Sequence, residues 1–225
     1  MHQIELFEKY PGEVQNDVLL NLVDKAKNTI FGRDFGFSSI KSYEDFSKKV
    51  PVFSYENFSD KIELARKGEN NIFWPTKIKW FAKSSGTTNS KSKFIPVSDE
   101  SLEDCHYAAG KDLLCMYLNN NSDSQLFTGK SLRLGGSKTP YEKNGTFYGD
   151  LSAILIDNMP FWAEFSSTPS NKTSLMDDWN YKIEAIINET INENVTSLAG
   201  VPSWMLVLLN KIIERSDKKY ISEIW

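Results

Sequence analysis

The chain has 225 residues, 30 acidic and 26 basic side chains, a formal net charge of −4 and 40% hydrophobic residues. A chain of this length buries roughly 70% of the surface it exposes when unfolded, so it needs no disulfide or metal staple, and its composition excludes disorder, collagen and coiled coil. Its mild acidity argues against a nucleic-acid partner, and no apolar run approaches the ~18 residues that span a bilayer.

Val14, Val18, Leu22, Ala26 and Ile30 recur at i+4, with Leu19 and Val23 beside them, which predicts an amphipathic helix closed by Phe31-Gly32. Ser42-Tyr-Glu-Asp45 reads as a capping box opening a short helix before Pro51, and Ser54 as the cap of a helix that closes near Gly68. From Lys77 to Lys83 the pattern alternates, with Ile78, Trp80 and Ala82 on one face and Lys77, Lys79 and Phe81 on the other, predicting a strand. Phe94-Ile-Pro-Val97 predicts a second strand, placed at a sheet edge by Pro96.

Ser98 then caps a long predicted helix with Leu102, Cys105, Ala109, Leu113 and Met116 on its inner face, broken at Asn119-Asn-Asn-Ser122. Ser131-Leu-Arg-Leu134 predicts a strand running into Gly135-Gly136, residues 137–150 a loop-rich stretch, and Leu151 to Ile156 a short apolar element. Ser174 is expected to cap a helix carrying Trp179, Ile183, Ile187 and Ile191. Val195 to Ala199 predicts a strand, and Gly200-Val-Pro-Ser203 turns into an apolar helix from Trp204 to Ile213. Phe161, Trp162, Trp179 and Trp204 are expected in the core. No repeat or linker interrupts the pattern, and helices mixed with short strands give a mixed α/β class.

The first residues, Met1-His2-Gln3-Ile4-Glu5, lack the basic and apolar regions of a signal peptide. Cys105 and Cys115 lie ten residues apart in one predicted helix, roughly 15 Å along its axis and too far to pair. They read as reduced, buried thiols of a cytoplasmic protein, and His106 as an ordinary helix residue.

One segment departs from the average. Residues 61–95 hold eight Lys or Arg against two Glu, a local surplus of positive charge inside an acidic chain. At its centre lies Ser84-Ser-Gly-Thr-Thr-Asn-Ser-Lys-Ser-Lys93. Gly86 lets the backbone approach a ligand, successive N–H groups and hydroxyls can hold phosphate oxygens, and lysine supplies the compensating charge. A solvated Ser-rich hairpin loop is the other reading of the same composition. A Walker A loop is excluded: from Gly86, Lys91 stands where the second glycine belongs, and a strand follows instead of a helix.

With Trp80-Phe-Ala-Lys before it and Phe94-Ile-Pro after it, this loop resembles the phosphate-binding loop of adenylate-forming enzymes. The closer likeness is to the bacterial branch of the auxin-responsive Gretchen Hagen family of acyl-acid amido synthetases. Tyr43-Glu-Asp-Phe46, Val50-Pro-Val, Ile72-Phe-Trp-Pro75, Leu126-Phe-Thr-Gly129, Tyr148-Gly-Asp-Leu151 and Val195-Thr-Ser-Leu-Ala-Gly-Val-Pro-Ser-Trp204 carry the resemblance over essentially the whole chain. Asn89 stands where the general adenylate-forming loop has glycine, and Ser90 where the plant enzymes often have another.

The resemblance implies the N-terminal portion of the large adenylate-forming domain, helix-rich with short strands. It implies ATP-dependent activation of a small carboxylic acid as acyl-adenylate, then amide formation with an amino acid, with ATP and Mg²⁺ required. Ser84, Ser85, Gly86, Thr87, Thr88, Lys91 and Lys93 are the implied ATP-contacting residues, with Lys93, seven residues after Gly86, matching the family's loop lysine better than Lys91. Val201 and Ser203 are implied near the acid pocket. Arg133 could meet a substrate carboxylate, although a lone arginine in a strand is more often a surface residue. The apolar last residues, Ile221-Ser-Glu-Ile-Trp225, read as a cut inside the domain. Residues 1–225 are therefore expected to form one incomplete domain, about half of the large domain, without the later acidic motifs and mobile C-terminal domain and inactive alone. The alternative is a non-catalytic nucleotide- or small-acid-binding module.

Overall fold

The computed structural model describes residues 2–84, 92–135 and 139–225. In chain order it contains α1 (His2–Lys9), α2 (Pro11–Ala26), α3 (Ile30–Asp34), α4 (Tyr43–Lys49), α5 (Tyr55–Arg66), β1 (Trp80–Lys83) and β2 (Phe94–Val97). A π-helical stretch, Ser101–Tyr107, leads into α6 (Ala108–Asn120). There follow β3 (Lys130–Leu134), β4 (Tyr141–Lys143), β5 (Thr146–Gly149), α7 (Leu151–Asp157), α8 (Phe161–Phe165), β6 (Ser167–Thr168), α9 (Asn171–Ser174), α10 (Trp179–Thr190), β7 (Val195–Gly200) and α11 (Pro202–Ser216). Two compact units result: Met1–Asn120 with Glu142–Phe147, and Asn121–Tyr141 with Tyr148–Trp225.

In the first unit the predicted first helix is two. α2 ends at Ala26, and Thr29 caps α3, accepting from the Gly32 N–H at 2.9 Å and donating to the Ala26 carbonyl at 2.7 Å. Gly32 thus sits inside α3, and a Cβ there would lie 2.1 Å from the Ala26 oxygen. Val23 and Ala26 of α2 are buried against Phe37 and Ile40, whereas Val18 and Leu22 of the predicted stripe are exposed. Phe31 gathers the rings of Phe35, Phe58, Phe73, Phe37 and Phe53, with centroids 4.7–6.3 Å away. The predicted caps hold: Ser42 accepts from the Asp45 N–H at 3.2 Å, and the Ser54 N–H donates to Asn57 at 2.9 Å.

The sheet of this unit runs β2-β1-β5-β4, with β1 and β2 antiparallel from Trp80↔Val97 to Lys83↔Phe94. β2, with Pro96, lies at the edge as predicted. β1 is interior, and this corrects the alternation: Phe81 is fully buried beside Trp80 and Ala82, because an interior strand covered on both faces reads as a continuous apolar run. The stretch read as loop holds the hairpin β4–β5, whose turn is Asn144-Gly145, both with positive φ.

The long helix also differs. Leu102 is buried, but Cys105, Ala109, Leu113 and Met116 are exposed, as is Cys115. α6 buries none of its residues, so the predicted face meets a core only at Leu102, in the π-helical stretch before it. The thiols are therefore surface groups, not core groups.

In the second unit, parallel strands run β6-β3-β7, with Leu132↔Thr168 on one side and Leu132↔Leu198 on the other. Leu132 and Leu134 point to a core shared with Ile183, Ile186 and Ile187 of α10 and Met205, Leu208 and Ile212 of α11. Ile221, Ile224 and Trp225 pack against the same core, and the Trp225 indole donates to the Thr190 carbonyl at 3.3 Å. The cap of α10 is Asp178, not Ser174: its carboxylate accepts from the Asn180 and Tyr181 N–H groups, while Ser174 closes α9. Phe161, Trp162 and Trp204, expected in the core, are exposed. The short α8 buries none of its residues, and Trp204 lies outside the buried positions Met205, Leu208 and Ile212 of α11. Trp179 packs against the core.

Candidate functional site

The first candidate region is the base of the Ser84–Lys93 loop. Antiparallel pairing of β1 and β2 brings its ends together: the Ser84 N–H donates to the Lys93 carbonyl at 2.9 Å, and the Lys93 N–H to the Ser84 hydroxyl at 3.3 Å. Ser85, Gly86, Thr87, Thr88 and Lys91 lie outside the described residues.

Lys93 is held by the first turn of α5. Its ammonium lies 3.5 Å from the Glu56 carboxylate and 5.1 Å from the centre of the Tyr55 ring. The Tyr55 hydroxyl accepts from the Phe94 N–H at 2.8 Å and donates to the Phe94 carbonyl at 3.3 Å, covering the outward groups of an edge strand. Glu56's own backbone N–H, the Ser54 hydroxyl and then Lys93 hold the Glu56 carboxyl below its ordinary value. Both ends of the Lys93–Glu56 pair are accessible, so the pair is weak and can be exchanged for another anion.

The excess charge of the segment is partly cancelled in space. Lys61 pairs with Asp34 at 3.1 Å and Lys79 with Asp99 at 3.1 Å, while Lys93 meets Glu56. All three acids come from outside residues 61–95. The first unit also holds an apolar hollow of about 550 Å³, lined by residues such as Leu22, Phe31, Phe58, Phe73 and Ile95 and by no ionisable group apart from Tyr55.

The second candidate region is a pocket of about 390 Å³ in the second unit. It lies beyond the carboxyl ends of β3 and β7, lined by Leu134, Gly135 and Val201, with Trp179 and Lys182 from α10 and Trp204 from α11. The chain leaves β3 for β6 on one side and returns to β7 on the other, so β3 marks the switch point where parallel sheets open a ligand crevice. Close packing of β3 and β7 there requires Gly200, where a Cβ would lie 2.6 Å from the Leu134 oxygen. The Trp179 and Trp204 rings meet edge to face at 4.4 Å. Asp150, Ser152 and Asp177 add polar groups to a wall that is mostly apolar.

Of the residues implied near the acid, Val201 lines this pocket. Ser203 lies exposed on the first turn of α11 and is not among the lining residues. Arg133 is on the other side of β3 from Leu132 and Leu134 and is no simple surface residue: Nη1 contacts the Met159 sulfur, and Nε and Nη2 are buried. Burial pushes its pKa down, opposed by Glu164, yet a guanidinium stays charged.

Sequence reading missed Lys182, which is 2% exposed. Burial lowers its pKa and Asp177 opposes the shift. The available signal was its spacing, since Lys182 stands four residues before Ile186 on the buried side of α10. Among the described residues no group of three or more His, Cys, Asp or Glu could hold a metal ion, and no helix is long and apolar enough to cross a membrane.

Residues 1–225 match the GH3 family N-terminal domain. Indole-3-acetic acid-amido synthetase GH3.2 of Arabidopsis thaliana is 30% identical over 101 residues, covering 44% of this chain and 18% of that protein. Jasmonoyl-L-amino acid synthetase JAR4 of Nicotiana attenuata is 22% identical over 163 residues, covering 72% and 28%. The solved structure of GH3.15 acyl acid amido synthetase superimposes with a TM-score of 0.76 at 20% identity, over 95% of this chain and 38% of its own. The structure of AtGH3.15 acyl acid amido synthetase in complex with 2,4-DB gives a TM-score of 0.73 at 23% identity, over 90% and 36%. The mixed α/β fold is thus that of the N-terminal part of those structures, and this chain spans less than two fifths of the length of these relatives.

Proposed function

The chain belongs to the GH3 family, and from that premise we propose that it carries the ATP-phosphate loop and the acid pocket of an ATP-dependent acyl-acid amido synthetase. The observation that carries the reading is the β1–β2 hairpin, which closes the Ser84–Lys93 loop at its base and sets Lys93 beside an exchangeable anion, Glu56.

In this reading the loop of Ser84, Ser85, Gly86, Thr87, Thr88, Lys91 and Lys93 holds the β- and γ-phosphates by N–H groups, hydroxyls and lysine. The pocket beside Val201 holds the body of the acid. A carboxylate oxygen then forms a bond to the α-phosphorus as the bond to pyrophosphate breaks, giving the acyl-adenylate. An amino acid's amine next attacks the carbonyl carbon, AMP leaves with the bonding pair, and the amine loses a proton. The chain contributes position and charge stabilisation, with no side chain covalently attached. Mg²⁺, when bound, spreads charge over phosphate oxygens.

Calorimetric titration with MgATP tests the loop. Lys93→Ala should weaken binding about tenfold, the scale of a charge-assisted hydrogen bond. Equal affinity in a folded Lys93→Ala chain, or no MgATP binding by the unaltered chain at millimolar concentration, would overturn the assignment. Binding of MgATP unaffected by any carboxylic acid would favour the non-catalytic nucleotide-binding module.

A further inference from the structure

The pocket of the second unit contains a charged group that the reaction above leaves without a task. Lys182 is 2% exposed, whereas Asp150 and Asp177, which line the same pocket, are exposed. The carboxylates are hydrated and screened, while an ammonium away from water acts at much lower dielectric. Holding a lysine there costs desolvation, only part of which Asp177 offsets.

The apolar walls, Leu134, Val201, Trp179 and Trp204, suit a flat or branched hydrocarbon body. A ligand seated against them gives up water, and any acceptor it carries must find a protein donor or lose affinity. Among the lining residues Lys182 is the cation, and its ammonium carries three N–H donors where an indole or a hydroxyl carries one. The carboxylate to be activated is a poor choice of partner. Paired with a buried ammonium it would lose basicity, and with it the nucleophilicity needed to attack phosphorus.

We propose that Lys182 is a specificity-determining residue that selects carboxylic acids carrying a hydrogen-bond acceptor, such as a carbonyl oxygen, at the end remote from the carboxyl group to be activated. This rests on the reading of the pocket as the acid site, and the test separates the two.

Two near-isosteric acids serve as probes: 3-(4-acetylphenyl)propanoate, with a remote carbonyl, and 3-(4-isopropylphenyl)propanoate, without one. Each is titrated calorimetrically into the full chain and into Lys182→Met, which keeps the stem and removes the donor. The acetyl compound should bind the unaltered chain at least about tenfold more tightly, the scale of one hydrogen bond to a charged group. In Lys182→Met that preference should vanish or invert. Val201→Trp, which fills the pocket, should abolish binding of both.

Equal or tighter binding of the isopropyl compound to the unaltered chain overturns the role of Lys182 and leaves the acid pocket standing. So does an undiminished acetyl preference in a folded Lys182→Met. Failure of both acids to bind, or binding that Val201→Trp leaves intact, overturns the acid pocket and the role of Lys182 with it. If Lys182→Met does not fold, the comparison in the unaltered chain still decides.

Discussion

Tyr55→Phe tests whether the base of the phosphate loop is built as described. The change removes one oxygen and keeps the ring under Lys93. That oxygen accepts from the Phe94 N–H at 2.8 Å and donates to the Phe94 carbonyl at 3.3 Å. Phe94 belongs to the edge strand β2, so no second strand can take over these groups. The site is partly buried, so water replaces some of the loss, and the cost should be about 1–1.5 kcal/mol, the lower part of the range for an unsatisfied backbone group. Hydrogen exchange read by mass spectrometry measures it locally. Peptides covering Phe94–Val97 should exchange about tenfold faster, since ~1.4 kcal/mol corresponds to a factor of ten in local opening. Peptides from α10 and α11, in the other unit, should be unchanged and serve as the internal reference. MgATP affinity should fall with the loss of order at Lys93. Unchanged exchange over β2 would refute the view that Tyr55 pins the loop base.

Three further outcomes follow from packing, capping and charge. Asp178→Ala removes the acceptor of the Asn180 and Tyr181 N–H groups and should cost about 1 kcal/mol in a urea unfolding series, whereas Ser174→Ala should not show the loss of an α10 cap. Gly200→Ala places a Cβ 2.6 Å from the Leu134 carbonyl oxygen and 3.2 Å from the Met205 methyl, and should lower stability by about 2 kcal/mol or more by forcing β3 and β7 apart, read as a fall in thermal midpoint. Lys182 holds its proton less tightly folded than unfolded, so between its lowered value and about 10.4 the unfolded chain binds more protons and stability rises with pH. Lys182→Met lacks that dependence, so the unaltered chain should gain on it between pH 7 and pH 10 in parallel denaturation curves; a constant gap would refute the buried-charge argument.

The sequence made the local elements legible and left their surroundings dark. Caps at Ser42 and Ser54 were readable because the hydrogen-bonding partner lies three residues away. Asn144-Gly145 carried an equally local hairpin signal that composition alone obscured. By contrast, nothing within Trp80–Lys83 says that β1 is interior, and so that Phe81 shares no face with lysines. That depends on β5, more than sixty residues on. The α6 face failed for a different reason. Periodicity says which residues share a face and not whether that face meets a core, and α6 buries none of its residues. Lys182 was hidden because residue type argues for solvent, while only the packing of α10 on β3 and β7 puts position 182 inside.

The same contrast bears on how charge should be read. A run of eight cations along residues 61–95 suggests a strong field, but a field is set in space. Asp34 from α3, Glu56 from α5 and Asp99 after β2 each meet one of those lysines. The surplus around the hairpin is therefore smaller than the linear count, and electrostatic attraction of a polyanion should be modest. Raising salt from 50 to 300 mM should accordingly weaken MgATP binding far less than Lys93→Ala does. Contacts at fixed donors survive screening better than a diffuse positive patch. A salt effect larger than the Lys93 effect would show that bulk charge, and not the built base of the loop, holds the nucleotide.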